Sequence, residues 1–308
     1  MRKLWIPAMF ALTVLAGEER SIKTIGKNLE EKLCVVKVKS DCAEQSFKGT
    51  SGSLINLNGM KFKSSKFTQA KLDYVSAKGT DFQDADFTDA EIEHSHLDRI
   101  IGRGANFYHT KISDSSFKGA SLAKANFSKS ALTHVDMSGA RLPDAKLNNA
   151  QIVDLNLVSS NAARANFAHA HIEGVNFKRA KLSSAQFECA VFAGSIQLEG
   201  ASLGQANFNG IRMTHAKLSD LDQKQVKQRA CFAVDTEGEL HRSSSCEGQK
   251  MLDCCGELAE KDICEGSGQI CQWKQDKCLS QCTFSEKKAC DSASICRWSS
   301  ALNQCYAK

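Results

Sequence analysis

From Phe47 onward a large apolar residue recurs at every fifth position among polar ones, at 47, 57, 62, 67, 72, 82, 87, 92, 97, 107 and on to 192. The phase then slips by one residue and resumes at Leu198, Leu203, Phe208, Met213 and Leu218. Of 35 central positions counted this way, 31 hold Phe, Leu, Ile or Met, so the few departures (Gly52, Ala77, Gly102 and Ala162) interrupt a rule. Two residues before each centre, 17 of the 35 positions hold Ala and most others Ser, Thr, Val or Ile. A helix would scatter a five-residue period around its circumference, and a strand would send successive centres to opposite faces. Each repeat therefore needs a short extended piece and a corner. Units that always turn the same way close into coils, and coils bury a core by stacking.

Runs such as Ala120-Ser121-Leu122, Ala125-Asn126-Phe127 and Ala145-Lys146-Leu147 resemble the pentapeptide-repeat family, whose unit is A-(D/N)-L-x-x. The resemblance covers roughly 175 residues. It implies a mainly β fold, a right-handed four-sided parallel β-helix, with the centre and the residue two before it inside and the other three facing solvent. Four units per coil would give about 8.75 coils and, at the spacing of paired strands, a rod roughly 42 Å long.

Residues 20 apart then stack, and the composition of the columns agrees. One column reads Phe47, Phe67, Phe87, Phe107, Phe127, Leu147, Phe167, Phe187 and Phe208. Such a column predicts a ladder of stacked rings, with small Ala or Ser beside it leaving room. Gly102 and Ala162 share another column, where each is expected to leave a gap or a narrowing. The slip between Ala193 and Leu198 is expected to be one residue bulging outward.

Ahead of the repeats, residues 1–18 read as an export signal: Arg2 and Lys3, an apolar run from Leu4 to Ala16, and a cleavage region with small residues at Leu15-Ala16-Gly17, the alternative being an uncleaved hydrophobic anchor or a buried segment. The run is too short for an ordinary membrane span. Residues 19–42 predict a cap for the first coil: a helix over Glu18–Leu33 with Ile22, Ile25 and Leu29 on one stripe, then a strand at Val35–Val38. Cys34 and Cys42 flank that strand and are a candidate disulfide.

The net charge of +5 is modest. The repeat body, 43–222, carries 20 Lys/Arg against 18 Asp/Glu, so nothing argues for nucleic acid. Family members that resemble DNA in shape and charge, and act on type II topoisomerases, are acidic over much of their surface, whereas this body is balanced. Lys61, Lys63, Lys66, Lys71 and Lys78 precede Asp81, Asp84, Asp86, Asp89, Glu91, Glu93 and Asp98, which predicts charge contact between neighbouring coils, with a partner-docking or calcium-binding patch as the alternative. His94, His109, His134, His169 and His215 each lie two residues after a centre and should face out. No catalytic triad context, phosphate loop, dinucleotide fingerprint or calcium loop is present, and zinc on the closely spaced Cys278 and Cys282 is the rival to a disulfide framework that export and the adjacent Cys254 and Cys255 argue against, so no enzyme, cofactor or metal is expected.

The repeat body is read as 43–220, followed by a cap or linker helix within 221–233, with Val226 and Ala230 on one face. Residues 234–308 form a cysteine-rich region. Fourteen Cys occur in 308 residues, eleven of them in the last 78, which suggests a disulfide framework in an oxidising compartment. Cys189 is expected to point outward near the last coil and to pair with Cys231 or remain a free thiol. Cys246, Cys254, Cys255, Cys264, Cys271, Cys278, Cys282, Cys290, Cys296 and Cys305 would then supply five bridges of unassigned connectivity. Cys271-Gln272-Trp273 and Cys296-Arg297-Trp298 recur within two similar Cys frames, as in two small modules. Trp273 and Trp298 are candidate ligand contacts, with a structural role inside each module as the alternative.

These features predict a secreted, periplasmic or organelle-lumenal non-enzymatic scaffold that binds a protein partner, with a homodimer as one arrangement. The alternative is a carbohydrate- or host-surface-binding protein acting through its tail.

Overall fold

The structure, a computed structural model, describes residues 11–12, 20–25, 31–36, 41–230, 232–234, 240–242, 271–274, 277–280, 296–299 and 304–307. Two compact units, 1–145 and 146–308, are described in turn.

In the first unit, Ala11–Leu12 (β1), inside the stretch read as a signal, runs parallel to Ser51–Gly52; the rest of 1–18 lies outside the described residues. The helix expected over Glu18–Leu33 is replaced by strands. Arg20–Ile25 (β2) and Glu31–Val36 (β3) pair antiparallel, with Arg20 opposite Val36 and Ile22 opposite Cys34. The apolar stripe was compatible with either element. The β-branched Ile22, Thr24 and Ile25 favour extended backbone, and Gly26 weakens a helix through this point.

The repeats form a parallel β-solenoid. Strands Ser51–Ser53 (β4), Lys71–Asp73 (β5), Glu91–Glu93 (β6), Lys111–Ser113 (β7) and Ala131–Thr133 (β8) pair in parallel, each residue opposite the one 20 further on. Three further ladders of single bridges keep the same offset, beginning at Asp41↔Lys61, Ser46↔Lys66 and Asn56↔Ser76. Between ladders, the carbonyl of a centre accepts from the N–H three residues on, as from Phe87 to Ala90 at 3.0 Å and from Leu122 to Ala125 at 3.0 Å. The third residue of each such turn has left-handed φ, for example Asp89 at 58° and Lys124 at 59°. The Asp or Asn that precedes many centres fixes this turn. Its Oδ1 accepts from the N–H two residues on, as Asp81 does from Gln83 at 2.9 Å and Asn126 from Ser128 at 3.1 Å.

The core is the expected one. Every apolar centre from Phe47 to Leu142 is at most 7% exposed. Rings 20 residues apart stack: Phe67 on Phe87 and Phe87 on Phe107, both 4.9 Å between centroids. Rings of the neighbouring column meet them edge-on, as Phe62 meets Phe67 at 74°. Cys42 occupies a centre of its own, 1% exposed and disulfide-bonded, so the first coil begins at that residue. Gly102 leaves no gap. A Cβ there would lie 2.9 Å from Leu122 Cδ2 and 3.5 Å from Ile100 Cδ1, because the large Ile100 at the second inward position fills the space. Ile55 Cδ1 does the same at Gly52.

In the second unit, Gln151–Val153 (β9), His171–Glu173 (β10), Val191–Ser195 (β11) and Ile211–Lys217 (β12) continue the parallel pattern. Apolar centres from Leu147 to Met213 are at most 3% exposed, whereas Leu218, counted as the last centre, is only partly buried. The slip lengthens β11 to five residues, and the extra residue expected there appears as a shift of register of the kind a β-bulge makes. The bridge offset changes from 20 at Asn166↔Gln186 to 21 at Gln186↔Asn207, and the β11–β12 register shifts again between Val191 and Ala193. Extra extended residues are tolerated here because their N–H and C=O groups still find a ladder partner.

The final coil is closed by Asp220–Lys227 (α1). Ser219 caps it, its Oγ accepting from Asp222 N at 3.1 Å. Asp222, 5% exposed, accepts from Leu198 N at 3.3 Å, and Arg229 Nε donates to Leu203 O at 3.0 Å, so the helix region serves backbone groups of the last coil's open edge. Val226 is fully buried, and Phe232–Val234 (β13) pairs in parallel with β12 while Leu240–Arg242 (β14) pairs antiparallel with β13. Two hairpins follow: Cys271–Lys274 (β15) with Lys277–Ser280 (β16), and Cys296–Ser299 (β17) with Gln304–Ala307 (β18).

Candidate functional site

The outer surface of the solenoid is polar, and its titratable groups are set by the 20-residue register. The most concentrated group follows the strands of the first unit. At the corner leaving β5, β6, β7 and β8 stand Tyr74, His94, Asp114 and His134, each with left-handed φ between 47° and 52°. Their backbones are tied across coils: Tyr74 N donates to Glu93 O at 3.1 Å and His94 N to Ser113 O at 3.2 Å. Just inside the corner, Val75 N donates to Ser95 Oγ at 2.9 Å and Ser95 N to Ser115 Oγ at 3.0 Å. The small inward residues thus also satisfy buried N–H groups here.

Side chains at this corner converge. His94 Nδ1 lies 3.0 Å from Asp73 Oδ1, and the His94 ring stacks on Tyr74 with centroids 4.7 Å apart and planes 10° apart. The Asp73 hydrogen bond, with the charges of Asp73, Asp114 and Glu93 adding to it, holds the His94 imidazole above its ordinary pKa of 6.5. Glu93 lies directly opposite Asp73 in the β5–β6 register. One ligand atom each from Asp73, Glu93 and His94 falls within 4.8 Å of the others. Two coils beyond His94, His134 Nδ1 meets Asp114 Oδ1 at 3.2 Å. The corner is exposed: the His94 side chain is 43% accessible, and Tyr74 and Leu54 are among the few exposed large apolar residues, with Ile101 on another ladder.

Sequence reasoning placed His94, His109 and His134 outward, where they lie, but assigned no partner to them. Each has an Asp from the preceding coil, including Asp89 at 2.7 Å from His109. The signal that would have found them is a His 20 or 21 residues after an Asp at the same outward position. Neighbouring-coil charge contact is present at Lys71–Glu91, 2.8 Å, where that hydrogen bond lowers the carboxyl and raises the ammonium pKa. No sequence reading grouped Asp73, Glu93 and His94.

Cys189 sits at the outward position anticipated but is buried, 7% exposed, and disulfide-bonded; the free-thiol alternative does not hold. The partners of Cys42 and Cys189 are outside the residues whose side chains are described. Cys34 lies in β3, and Cys271, Cys278, Cys296 and Cys305 lie in the tail hairpins. Trp273 is opposite Cys278 and Trp298 opposite Cys305, so the repeated Cys-x-Trp motif occupies one register in both hairpins. Cys231, Cys246, Cys254, Cys255, Cys264, Cys282 and Cys290 lie outside the described residues. Among the described residues no nucleophile–base constellation is assembled, and no helix is long and apolar enough to cross a membrane.

The sequence matches the pentapeptide repeat region over residues 110–187, and pentapeptide repeats (8 copies) over 53–89, 65–101 and 196–222. No curated protein matches it in sequence. Among solved structures, it is similar to a pentapeptide repeat protein of the Arabidopsis thaliana thylakoid lumen at 19% identity, over 40% of this chain and 85% of that one, with a TM-score of 0.36. HetL, a pentapeptide repeat protein involved in heterocyst differentiation regulation in the cyanobacterium Nostoc, is 18% identical over 66% of this chain and 94% of its own, TM-score 0.29. QnrB1, a plasmid-mediated fluoroquinolone resistance protein, is 19% identical over 58% and 96%, TM-score 0.29. With the repeat matched over about half of its length and the centres buried from Phe47 to Met213, the chain belongs to the pentapeptide-repeat family.

Proposed function

We propose that this protein is an exported, non-enzymatic scaffold that binds a protein partner through the outer faces of its solenoid. The observation that carries this reading is the division of labour within each repeat. Apolar centres are spent on the interior, and the outward positions form regular ladders of charged and hydrogen-bonding side chains. Such ladders offer an extended recognition surface without a substrate cleft. In this reading each coil is four-sided and right-handed, one ladder per side, with 43–220 as the recognition body and 221–233 as its cap.

Export through residues 1–18 to a secreted, periplasmic or lumenal compartment is supported by the disulfide-bonded state of Cys42 and Cys189 and by the cysteine content of 234–308. Within this reading Cys34 pairs with Cys42 and Cys189 with Cys231, the latter stapling the tail to the last coil, while the other ten cysteines bridge one another. A homodimer and a nucleic-acid-free mode of action belong to the same reading.

A second reading puts recognition of carbohydrate or a host surface in the tail, favoured by the matching register of Trp273 and Trp298 in two similar hairpins. Pull-down of the oxidised mature protein from its native compartment, with and without residues 223–308, separates the two. Capture retained after the deletion supports the solenoid; capture lost with it supports the tail.

A further inference from the structure

We infer that Asp73, Glu93 and His94 form a binding site for a borderline-soft divalent cation of the zinc class. The three ligand atoms lie within 4.8 Å of one another, on two adjacent strands and the corner that follows. Tetrahedral zinc, with bonds of about 2 Å, holds its ligand atoms a little over 3 Å apart. The 3.0 Å between His94 Nδ1 and Asp73 Oδ1 is already close to that separation, and rotation of the Glu93 side chain brings in the third ligand. The ion takes the place of the proton shared by Nδ1 and Oδ1. In a neutral imidazole the single proton moves from Nδ1 to Nε2, and an imidazolium keeps its Nε2–H and releases the Nδ1 proton to solvent.

Two features favour a bound cation here, beyond the partial positive charge that His94 already supplies. Asp73 and Glu93 are like charges directly opposite each other on paired strands, an arrangement that costs stability unless a cation lies between them. The His94 ring is also held in a fixed plane by Tyr74, which limits the entropy lost on ligation. The remaining charges facing the group are Asp114, which adds to the negative field, and His134, which pairs with Asp114. One imidazole and two carboxylates suit zinc better than calcium, which takes six to eight oxygens. Three protein ligands leave a position for water or for a donor from a partner.

The test is zinc titration of tag-free, oxidised, mature protein by calorimetry, with histidine side-chain NMR to locate the ion. The left-handed φ of 47° at His94 makes Asn the appropriate replacement, since Asn tolerates that backbone and ligates zinc poorly. His94→Asn, Asp73→Asn and Glu93→Gln are each expected to weaken zinc binding by at least about tenfold. His109→Asn, which removes a similar His–Asp pair without a third ligand, is expected to leave it unchanged. Absence of zinc binding, wild-type affinity in His94→Asn, or equal loss in His109→Asn would overturn the site. Circular dichroism of each variant verifies the fold, and the two carboxylate variants test the site independently of the His94 backbone.

Discussion

The ring of Phe107 lies parallel to that of Phe127, 4.6 Å between centroids and 4° between planes, while Phe117 meets Phe107 edge-on at 85°. Phe107 is therefore held on its faces by the coils before and after it and on its edge by a neighbouring column. Phe107→Ala is expected to cost about 3–5 kcal/mol, because stacked coils cannot collapse onto the cavity without breaking ladder bonds. Denaturant unfolding monitored by circular dichroism measures it.

Gly102 behaves in the opposite sense. Its missing side chain is supplied by Ile100 and Leu122, so Gly102→Leu, which restores the repeat consensus, is expected to destabilise by about 1–3 kcal/mol through overpacking. Pairing it with Ile100→Ala should recover part of that loss. A stabilising Gly102→Leu would show that the centre was empty after all.

The turn-fixing amide gives a smaller, cleaner effect. Asn126 accepts from Ser128 N at 3.1 Å and Ser128 Oγ at 2.7 Å, and donates to Asn106 Oδ1 at 2.9 Å. Asn126→Ala is expected to cost about 1–2 kcal/mol, and Asn126→Asp less, since Asp keeps the acceptor for the turn. Thermal melts of the two variants rank them.

Stability should also depend on the charge of His94. Its folded pKa is raised above 6.5 by the Asp73 hydrogen bond, so the unfolded chain gives up this proton first. The contribution is fully present below the unfolded pKa and disappears as pH rises through the folded value. Melting temperatures of wild type and His94→Asn should therefore differ at pH 6 and converge at higher pH. A difference that grows with pH would contradict the assignment.

For the disulfides, peptide mapping of unreduced protein is expected to link Cys42 to Cys34 and Cys189 to Cys231. Cys189→Ala should leave the coil stacking intact while freeing the tail to proteolysis, read by limited digestion at residues beyond 230. A link from Cys189 to a cysteine between 264 and 305 would replace the proposed staple.

The solenoid was written plainly in the sequence because each unit repeats one local rule. A buried centre, a small inward neighbour, an Asp or Asn that closes the turn and a residue able to take positive φ define the coil without long-range information. The 20-residue columns came from the four units per coil that the resemblance implies, and the distribution of Phe agreed with them. The N-terminal hairpin was misread because Ile22, Ile25 and Leu29 fit a helical stripe as well as they fit a strand. Only the antiparallel register of Arg20–Ile25 against Glu31–Val36 settled it.

What the chain determined by itself is therefore the interior: which residues face inward, how often the backbone turns, and where the phase slips. What only the tertiary structure decided is everything that depends on neighbours a coil apart. Ile100 fills the place of Gly102, α1 satisfies the last edge, and Asp73, Glu93 and His94 come together although twenty residues of sequence separate the first two. The reason is physical. Inward packing is set by local periodicity, whereas outward chemistry arises from stacking at strand spacing, which brings together residues that no sequence window contains.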